Sequence, residues 1–189
     1  MRERLWLSGY RAWELNVYGD HDPKLKVLKY SLKIQLQQAL DEGMQWLITG
    51  GELGIEQWGI EVALGLKADY PELQIAMMLP YAEFGHQWQA ENQERLAKRR
   101  SQVDFARETS TQPYTQPAQL SGYNRFMAQH TDGALFYYDQ DFPGKPQYAY
   151  KAAQAEANRR DYAVRTVTMP DLEDVGRELA EAENSDFQN

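Results

Sequence analysis

The residues of this chain best equipped for ligand chemistry stand directly after short apolar runs. Ser8-Gly9-Tyr10-Arg11 follows the run from Arg4 to Leu7. Gly50-Gly51-Glu52-Leu53-Gly54-Ile55-Glu56 follows Trp46 to Thr49. Pro80-Tyr81 follows Leu73 to Leu79, and Asp139 follows Ala134 to Tyr138, with Pro143-Gly144-Lys145 just beyond. Glycine permits positive φ and lets a ligand approach backbone N–H groups, and the first turn of a helix adds orphan donors and partial positive charge. That combination suits phosphate, and Arg11 is placed either to pair with it or to close on Glu52. Glu52 and Glu56 are four residues apart and share one helix face if the helix begins by Leu53. A carboxylate there accepts ribose hydroxyls or acts as a general base, although acids also favour helix N-termini through the dipole alone. Tyr81 is placed to stack on a base, Asn124 to hydrogen-bond a ligand, and Asp139 to orient a ribose or cap a loop. The candidate binding set is therefore Gly9, Arg11, Gly50, Gly51, Glu52, Gly54, Glu56, Tyr81, Asn124, Asp139 and Gly144.

The spacing excludes familiar alternatives. Gly50, Gly51 and Gly54 form G-G-x-x-G, which matches neither the dinucleotide fingerprint G-x-G-x-x-G nor the P-loop G-x-x-x-x-G-K-[ST]. There is no cysteine, so disulfides, thiolate nucleophiles and cysteine-ligated metals are excluded. His21, His86 and His130 form no H-x-x-x-H pair, so the helical two-histidine zinc site is absent too, and no metal is expected. The bases left for hydrolysis are Glu52, Glu56 and Asp139. Carboxylates among backbone donors tend to have lowered pKa values, which suits them to holding hydroxyls rather than to moving protons. Binding without turnover is the expectation, with hydrolysis of a nucleotide or N-glycoside as the alternative.

These residues need a scaffold, and the hydrophobic pattern supplies one. Arg4–Leu7, Trp46–Thr49, Leu73–Leu79, Val103–Ala106, Ala134–Tyr138 and Ala163–Val167 read as buried strands. Between the first two, Leu25, Leu28, Leu32, Leu36 and Leu40 recur at helical spacing, with Asp22-Pro23 as cap and first turn and Gly43 as terminator. Further helices are expected around Ile55, Trp58, Val62 and Leu66, around Phe84, Trp88 and Leu96, around Leu120, Tyr123, Met127 and His130, and from Tyr148 to Ala157. Trp58 reads as core, and the basic run Arg95, Lys98, Arg99, Arg100 as a solvated helix end. Strand and helix alternating through short connections require parallel strands joined by helical crossovers. The fold class is α/β: a single Rossmann-like, doubly wound, mostly parallel sheet with helices on both faces. One connection is long, Glu108 to Gln119, and reads equally as a lid or a variable surface loop.

The chain has 189 residues and a net charge of −8, of which residues 170–189, with seven acids against Arg177, supply −6. A domain at 1–169 followed by an acidic C-terminal tail at 170–189 is expected, the tail exposed and dispensable, with at most one short helix that docks through Leu172, Val175 and Leu179. The remaining body is near neutral and lacks the electrostatic footprint of nucleic-acid binding, which is disfavoured. No apolar run is long enough to span a membrane and the N-terminal one is too short for a signal peptide, so a cytoplasmic protein without membrane insertion is expected.

S-G-Y-R near the start, T-G-G-E-L-G-I-E-x-W after the second strand, and Y-N-R-F-M ahead of T-D-G-A-L-F-Y-Y-D together resemble the YpsA-like family of small bacterial proteins. That family belongs to the SLOG superfamily of Rossmann-like domains, which includes DprA and the LOG phosphoribohydrolases. The resemblance covers about residues 4–168. It implies a regulatory or sensor protein whose ligand is a nucleotide derivative resembling NAD or ADP-ribose, with a role near cell division. It leaves a protein partner and a homo-oligomer open. LOG enzymes carry P-G-G-x-G-T-x-x-E at the later strand–helix junction, where this chain has Pro143-Gly144-Lys145-Pro146 and no glutamate in the matching place.

Overall fold

Asp22 and Pro23 start the first helix as their types require. The Asp22 carboxylate accepts from the Lys24 amide at 3.0 Å, and Pro23 occupies the first helical position, where no amide hydrogen is needed. The helix, α1 (Pro23–Asp41), buries Leu25, Leu28, Leu32 and Leu36 and ends before Gly43, whose φ of +106° lets Met44 N–H reach back to the Ala39 carbonyl at 2.9 Å.

A computed structural model describes residues 3–186, so the outermost residues of the expected domain and tail, 1–2 and 187–189, lie outside the described residues. The strands are β1 (Arg4–Gly9), β2 (Trp46–Thr49), β3 (Gln74–Leu79), β4 (Phe105–Glu108), β5 (Gly133–Tyr137) and β6 (Ala163–Val167). Every pairing is parallel, in the order β4-β3-β2-β1-β5-β6. The other helices are α2 (Ile55–Leu66), α3 (Ala90–Gln102), α4 (Ala118–Gln129), α5 (Gln147–Ala157) and α6 (Met169–Asp186). The chain steps outward from β1 to β4 and then returns to lay β5 beside β1. In open parallel sheets a reversal of this kind is where a ligand crevice forms beyond the carboxyl ends of the strands, here those of β1 and β5. Alternation along the strands divides the core. Leu5, Leu7, Leu47, Ile75 and Met77 pack with α1, α2 and Leu96 of α3, whereas Trp6, Met78, Ala134 and Phe136 pack with Met127 of α4 and Ala149 and Ala153 of α5. Trp58 is half-buried against the first cluster, as its spacing predicts.

Three elements depart from expectation. Phe84 and Trp88 do not open the third helix, because Glu83 (φ +60°) and Gly85 (φ +81°) hold a turn there and α3 starts only at Ala90. Their four-residue spacing instead stacks the two rings edge to face, 5.2 Å between centroids. The fourth strand begins at Phe105 rather than Val103, since the Asp104 carboxylate pairs with Lys67 and accepts the Ile75 amide at 2.8 Å. The C-terminal segment is not a short helix but the eighteen-residue α6. Asp171 caps it by accepting from Thr168 N–H and Oγ, and α1 supplies a long docking partner through Val27 against Gly176 and the Lys26–Glu183 ion pair. No α6 residue is fully buried, although Leu172 packs against the core. Removing the chain after Thr168 is therefore expected to lower the melting temperature while the sheet still folds, as calorimetry and circular dichroism would show.

The amino end of β1 is locked by Asp132, whose carboxylate accepts from Arg4 N, Nε and Nη2 at 2.9, 3.1 and 2.8 Å. The hydrogen bonds from Arg4 outweigh desolvation and hold its pKa below the ordinary aspartate value. A depressed folded pKa means a contribution fully present above about pH 4 and lost as pH falls through the folded value. Asp132→Asn is expected to destabilise the protein at neutral pH, with the gap to the parent closing in acid. Urea melts across pH would check this.

Candidate functional site

Gly54 organises the crevice. Its φ of +131° brings the backbone against the chain leaving β1, where Ile55 N–H donates to the Tyr10 carbonyl at 3.1 Å and Ala12 N–H to the Leu53 carbonyl at 2.9 Å. Arg11 is thereby held beside Glu52. A short 3₁₀ turn, Ala12–Leu15, follows, and Glu14 within it accepts from Arg11 N–H at 2.8 Å and from Lys145 N–H at 2.6 Å. Glu14 thus ties the turn after β1 to the loop after β5. A Cβ on Gly144 (φ +49°) would lie 2.5 Å from the Glu14 carboxylate, so glycine there makes room for the tie.

Several expected ligand contacts are engaged inside the protein. Glu56 is buried and accepts from Ser8 Oγ and from Glu52 N–H, each at 2.8 Å. Asp139 is buried, with one oxygen on Asp141 N–H at 2.9 Å and the other on Met169 N–H at 3.1 Å, while its own amide donates to Tyr10 Oη at 2.8 Å. Gly9 is crowded by Tyr137 and Ile55, and Gly51 by Leu79 and Leu96, so both serve close packing. At the start of α2 the amides of Glu52, Ile55 and Gln57 already have acceptors in Glu56, Tyr10 and Glu52.

What remains open is a smaller group. Arg11 Nη2 stands 3.5 Å from Glu52 Oε1, and the two side chains keep 21% and 30% of their surface exposed. Arg11 Nη1 also donates to the Gly9 carbonyl at 3.2 Å. Burial works against the Arg11 charge, but Glu52, Glu56 and Glu14 outweigh it and hold its pKa above the ordinary value. The lowered carboxylate pKa expected from the sequence is reversed at Glu52. Burial pushes it up, and Arg11 only partly offsets this. Tyr81 is half-buried at the rim, its ring 5.4 Å from Phe84 and 5.2 Å from Tyr114. Asn124 is half-buried, and its side chain makes no hydrogen bond among the described residues.

Two further residues belong here that the sequence reading did not select. A Cβ on Gly50 would lie 2.3 Å from Glu56 Oε2 and 2.7 Å from Tyr123 Oη, so the Tyr123 hydroxyl shares the space above Gly50 with the Glu56 carboxylate. Burial, then Glu56, drive the Tyr123 pKa well above 10 and keep its proton in place as a donor. Its position four residues before Met127 had placed it on the core stripe. Lys145 adds positive potential at Glu52, and its ammonium has no ion-pair partner among the described residues. The long loop is not a free lid. Gln119 ties it down through the amides of Thr115 and Gln116, Ala82 N–H reaches the Gln112 carbonyl, and Tyr114 leans on Tyr81 to extend the wall of the crevice. The arginines of the basic run are paired on the surface, Arg95 with Asp20 and Glu91, Arg99 with Glu61 and Arg100 with Glu108. Among the described residues no cluster of three or more acids, histidines or cysteines could hold a metal ion, and no helix is long and apolar enough to cross a membrane.

The sequence model described as the YspA SLOG family matches residues 5–172. A UPF0398 protein of Lacticaseibacillus casei (strain BL23) is 61% identical over 187 residues, covering 99% of this chain and 98% of the relative. The UPF0398 protein of Lactiplantibacillus plantarum is 50% identical over 184 residues, covering 97% of both chains. Among solved structures, DNA processing protein A from Helicobacter pylori, described for its single-stranded DNA binding mode, superposes with a TM-score of 0.54 at 13% identity, covering 95% of this chain and 81% of that one. At that identity the likeness concerns the fold.

Proposed function

The chain belongs to the YspA SLOG family, and from that premise we propose that it binds a ribose-containing nucleotide derivative, of the NAD or ADP-ribose kind, in the crevice at the ends of β1, β2 and β5. The observation that carries this reading is the partly exposed Arg11–Glu52 pair at the point where the strand order reverses. Around it the neighbouring polar groups Glu14, Glu56 and Asp139 are engaged internally, so the pair is what the scaffold presents. Glu52 accepts ribose hydroxyls, Arg11 and Lys145 face the anionic part of the ligand, Tyr81 stacks on the base, and Asn124 and the Tyr123 hydroxyl contribute hydrogen bonds. Ligand occupancy then alters the binding of a protein partner, which is how a role beside cell division would be exerted. The near-neutral body favours such a ligand over the single-stranded DNA bound by DNA processing protein A.

Calorimetry with NAD and with ADP-ribose tests the reading. At about 100-fold above the dissociation constant the ligand adds roughly 2.7 kcal/mol to stability, so the melting temperature should rise. Affinity should fall as pH drops through the raised Glu52 pKa, because the protonated carboxyl loses acceptor capacity, and Glu52→Gln should remove that pH dependence. No shift with either ligand would count against the proposal.

A second reading, hydrolysis of the same ligand, draws support from the raised Glu52 pKa, since a carboxyl that keeps its proton longer is better matched to acid–base work. Chromatography of nucleoside monophosphates, NAD and ADP-ribose incubated with the protein separates the two. Binding without appreciable turnover is expected, and multiple turnovers lost in Glu52→Gln would favour the hydrolase.

A further inference from the structure

Glycines and a helix start at the strand ends suit phosphate, yet backbone N–H groups in that region are engaged by the protein's own carboxylates. Glu14 accepts from Arg11 N–H at 2.8 Å and from Lys145 N–H at 2.6 Å, one on each oxygen. Glu56 accepts from Glu52 N–H on one oxygen and from Ser8 Oγ on the other, each at 2.8 Å. Asp139 accepts from Asp141 N–H at 2.9 Å and from Met169 N–H at 3.1 Å, again one on each oxygen. Five backbone amides beyond β1, β2 and β5 thus face a resident carboxylate instead of an incoming anion. Ile55 N–H, in the first turn of α2, is likewise turned to the Tyr10 carbonyl.

The charge that results opposes highly anionic ligands. Glu14 and Glu56 act on the Arg11–Glu52 pair, and Lys145 is the second cation beside it. Two cations therefore stand among three carboxylates, with Asp139 as a fourth beyond β5. Arg11 is itself engaged, by Glu52 at 3.5 Å and by the Gly9 carbonyl at 3.2 Å. A ligand with two phosphate charges can be matched by Arg11 and Lys145. Each further charge meets the carboxylates, and a site partly shielded from water strengthens that repulsion.

We infer that the crevice selects its ligand by low charge, accepting ribose-containing ligands with no more than two negative charges on their phosphates and rejecting nucleoside polyphosphates. NAD and ADP-ribose meet the condition because their bridging diphosphate carries one charge on each phosphate, whereas ATP carries about four. Nucleoside triphosphates then do not compete for the site. The inference rests on the ribonucleotide reading above and adds the rule by which that site chooses.

The test is titration calorimetry of the full-length protein with NAD, ADP-ribose, AMP, ADP and ATP, without divalent cations. AMP, ADP and ATP share base and ribose and differ in the number of phosphates, so they isolate charge. Affinity should fall along that series, with ATP at least about tenfold weaker than AMP. Raising the salt from about 0.01 M to about 1 M shortens the screening length from about 30 Å to about 3 Å, and should narrow the gap. Glu52→Gln, which removes one of the partly exposed charges, should narrow it as well, while thermal melts match the parent. ATP binding as tightly as AMP, or no order among the three, would overturn the inference and leave the ribonucleotide reading in place. A gap that neither salt nor Glu52→Gln changes would also overturn it, since size rather than charge would then exclude ATP. If neither NAD nor ADP-ribose binds, that reading falls and the inference falls with it.

Discussion

Glu56→Ala is expected to destabilise the protein by about 3–4 kcal/mol, whereas Glu52→Ala, only four residues away, should change stability by no more than about 0.5 kcal/mol. The Glu56 carboxylate is the acceptor for a buried Ser8 hydroxyl and for the Glu52 amide, and it links the end of β1 to the first turn of α2. Removing it strands two donors, and each charge-assisted hydrogen bond of this sort contributes about 1.5–3 kcal/mol. Glu52 makes only a 3.5 Å ion pair with a partly exposed arginine, and burial already disfavours its charge, so little folding energy resides in it. Its loss should instead appear in binding, as a fall in affinity for NAD or ADP-ribose of about ten- to a hundredfold. Urea unfolding and calorimetric titration of both variants measure the two effects separately. Equal destabilisation by the two substitutions would show that Glu52 is structural as well, and the ligand reading would lose its main contact.

Glu52 and Glu56 also show where the sequence stops being informative. Both follow the same glycines and both lie where acids favour a helix start. What separates them is Ser8, forty-eight residues from Glu56, whose hydroxyl claims one carboxylate and not the other. No local pattern carries that information. Asp139 is a parallel case, because its second oxygen is engaged by Met169, the first residue of a helix thirty positions away. The scaffold was far more legible. The Asp22-Pro23 start, the leucine stripe and Gly43 determine α1 by nearest-neighbour chemistry, and five apolar runs became strands close to where their hydrophobicity places them. Misplacement came where tertiary partners override periodicity. Phe84 and Trp88 have helical spacing but sit in a turn with two positive φ angles, and β4 is displaced because Asp104 is drawn to Lys67 and the Ile75 amide. The length of α6 was hidden for the same reason, since its stripe reads as marginal until α1 is laid against it.

Gly54→Ala is expected to be the most damaging single substitution, at least about 4 kcal/mol, enough to leave little folded protein. The glycine has φ +131° and ψ −137°, a conformation that L side chains rarely adopt. An added Cβ would stand 2.5 Å from the Tyr10 carbonyl oxygen, 2.7 Å from Ala12 N and 2.8 Å from Arg11 Cα. All three are backbone atoms in the segment that carries Arg11, so relief would require that segment to move away from Leu53 and Ile55 and to break both hydrogen bonds that fasten it. Gly51→Ala provides the contrast. Its Cβ would meet the ends of Leu79 and Leu96 at 2.7 and 2.8 Å, flexible side chains that can yield, so a cost of about 1–3 kcal/mol is expected. The two glycines belong to one motif, yet one is required by backbone conformation and the other by side-chain packing. Guanidinium unfolding of both variants tests the ordering, and a Gly54→Ala protein within about 1 kcal/mol of the parent would refute it. Should a fraction of Gly54→Ala fold, it should also bind ligand poorly, because the close backbone approach that glycine allows there is what holds Arg11 beside Glu52.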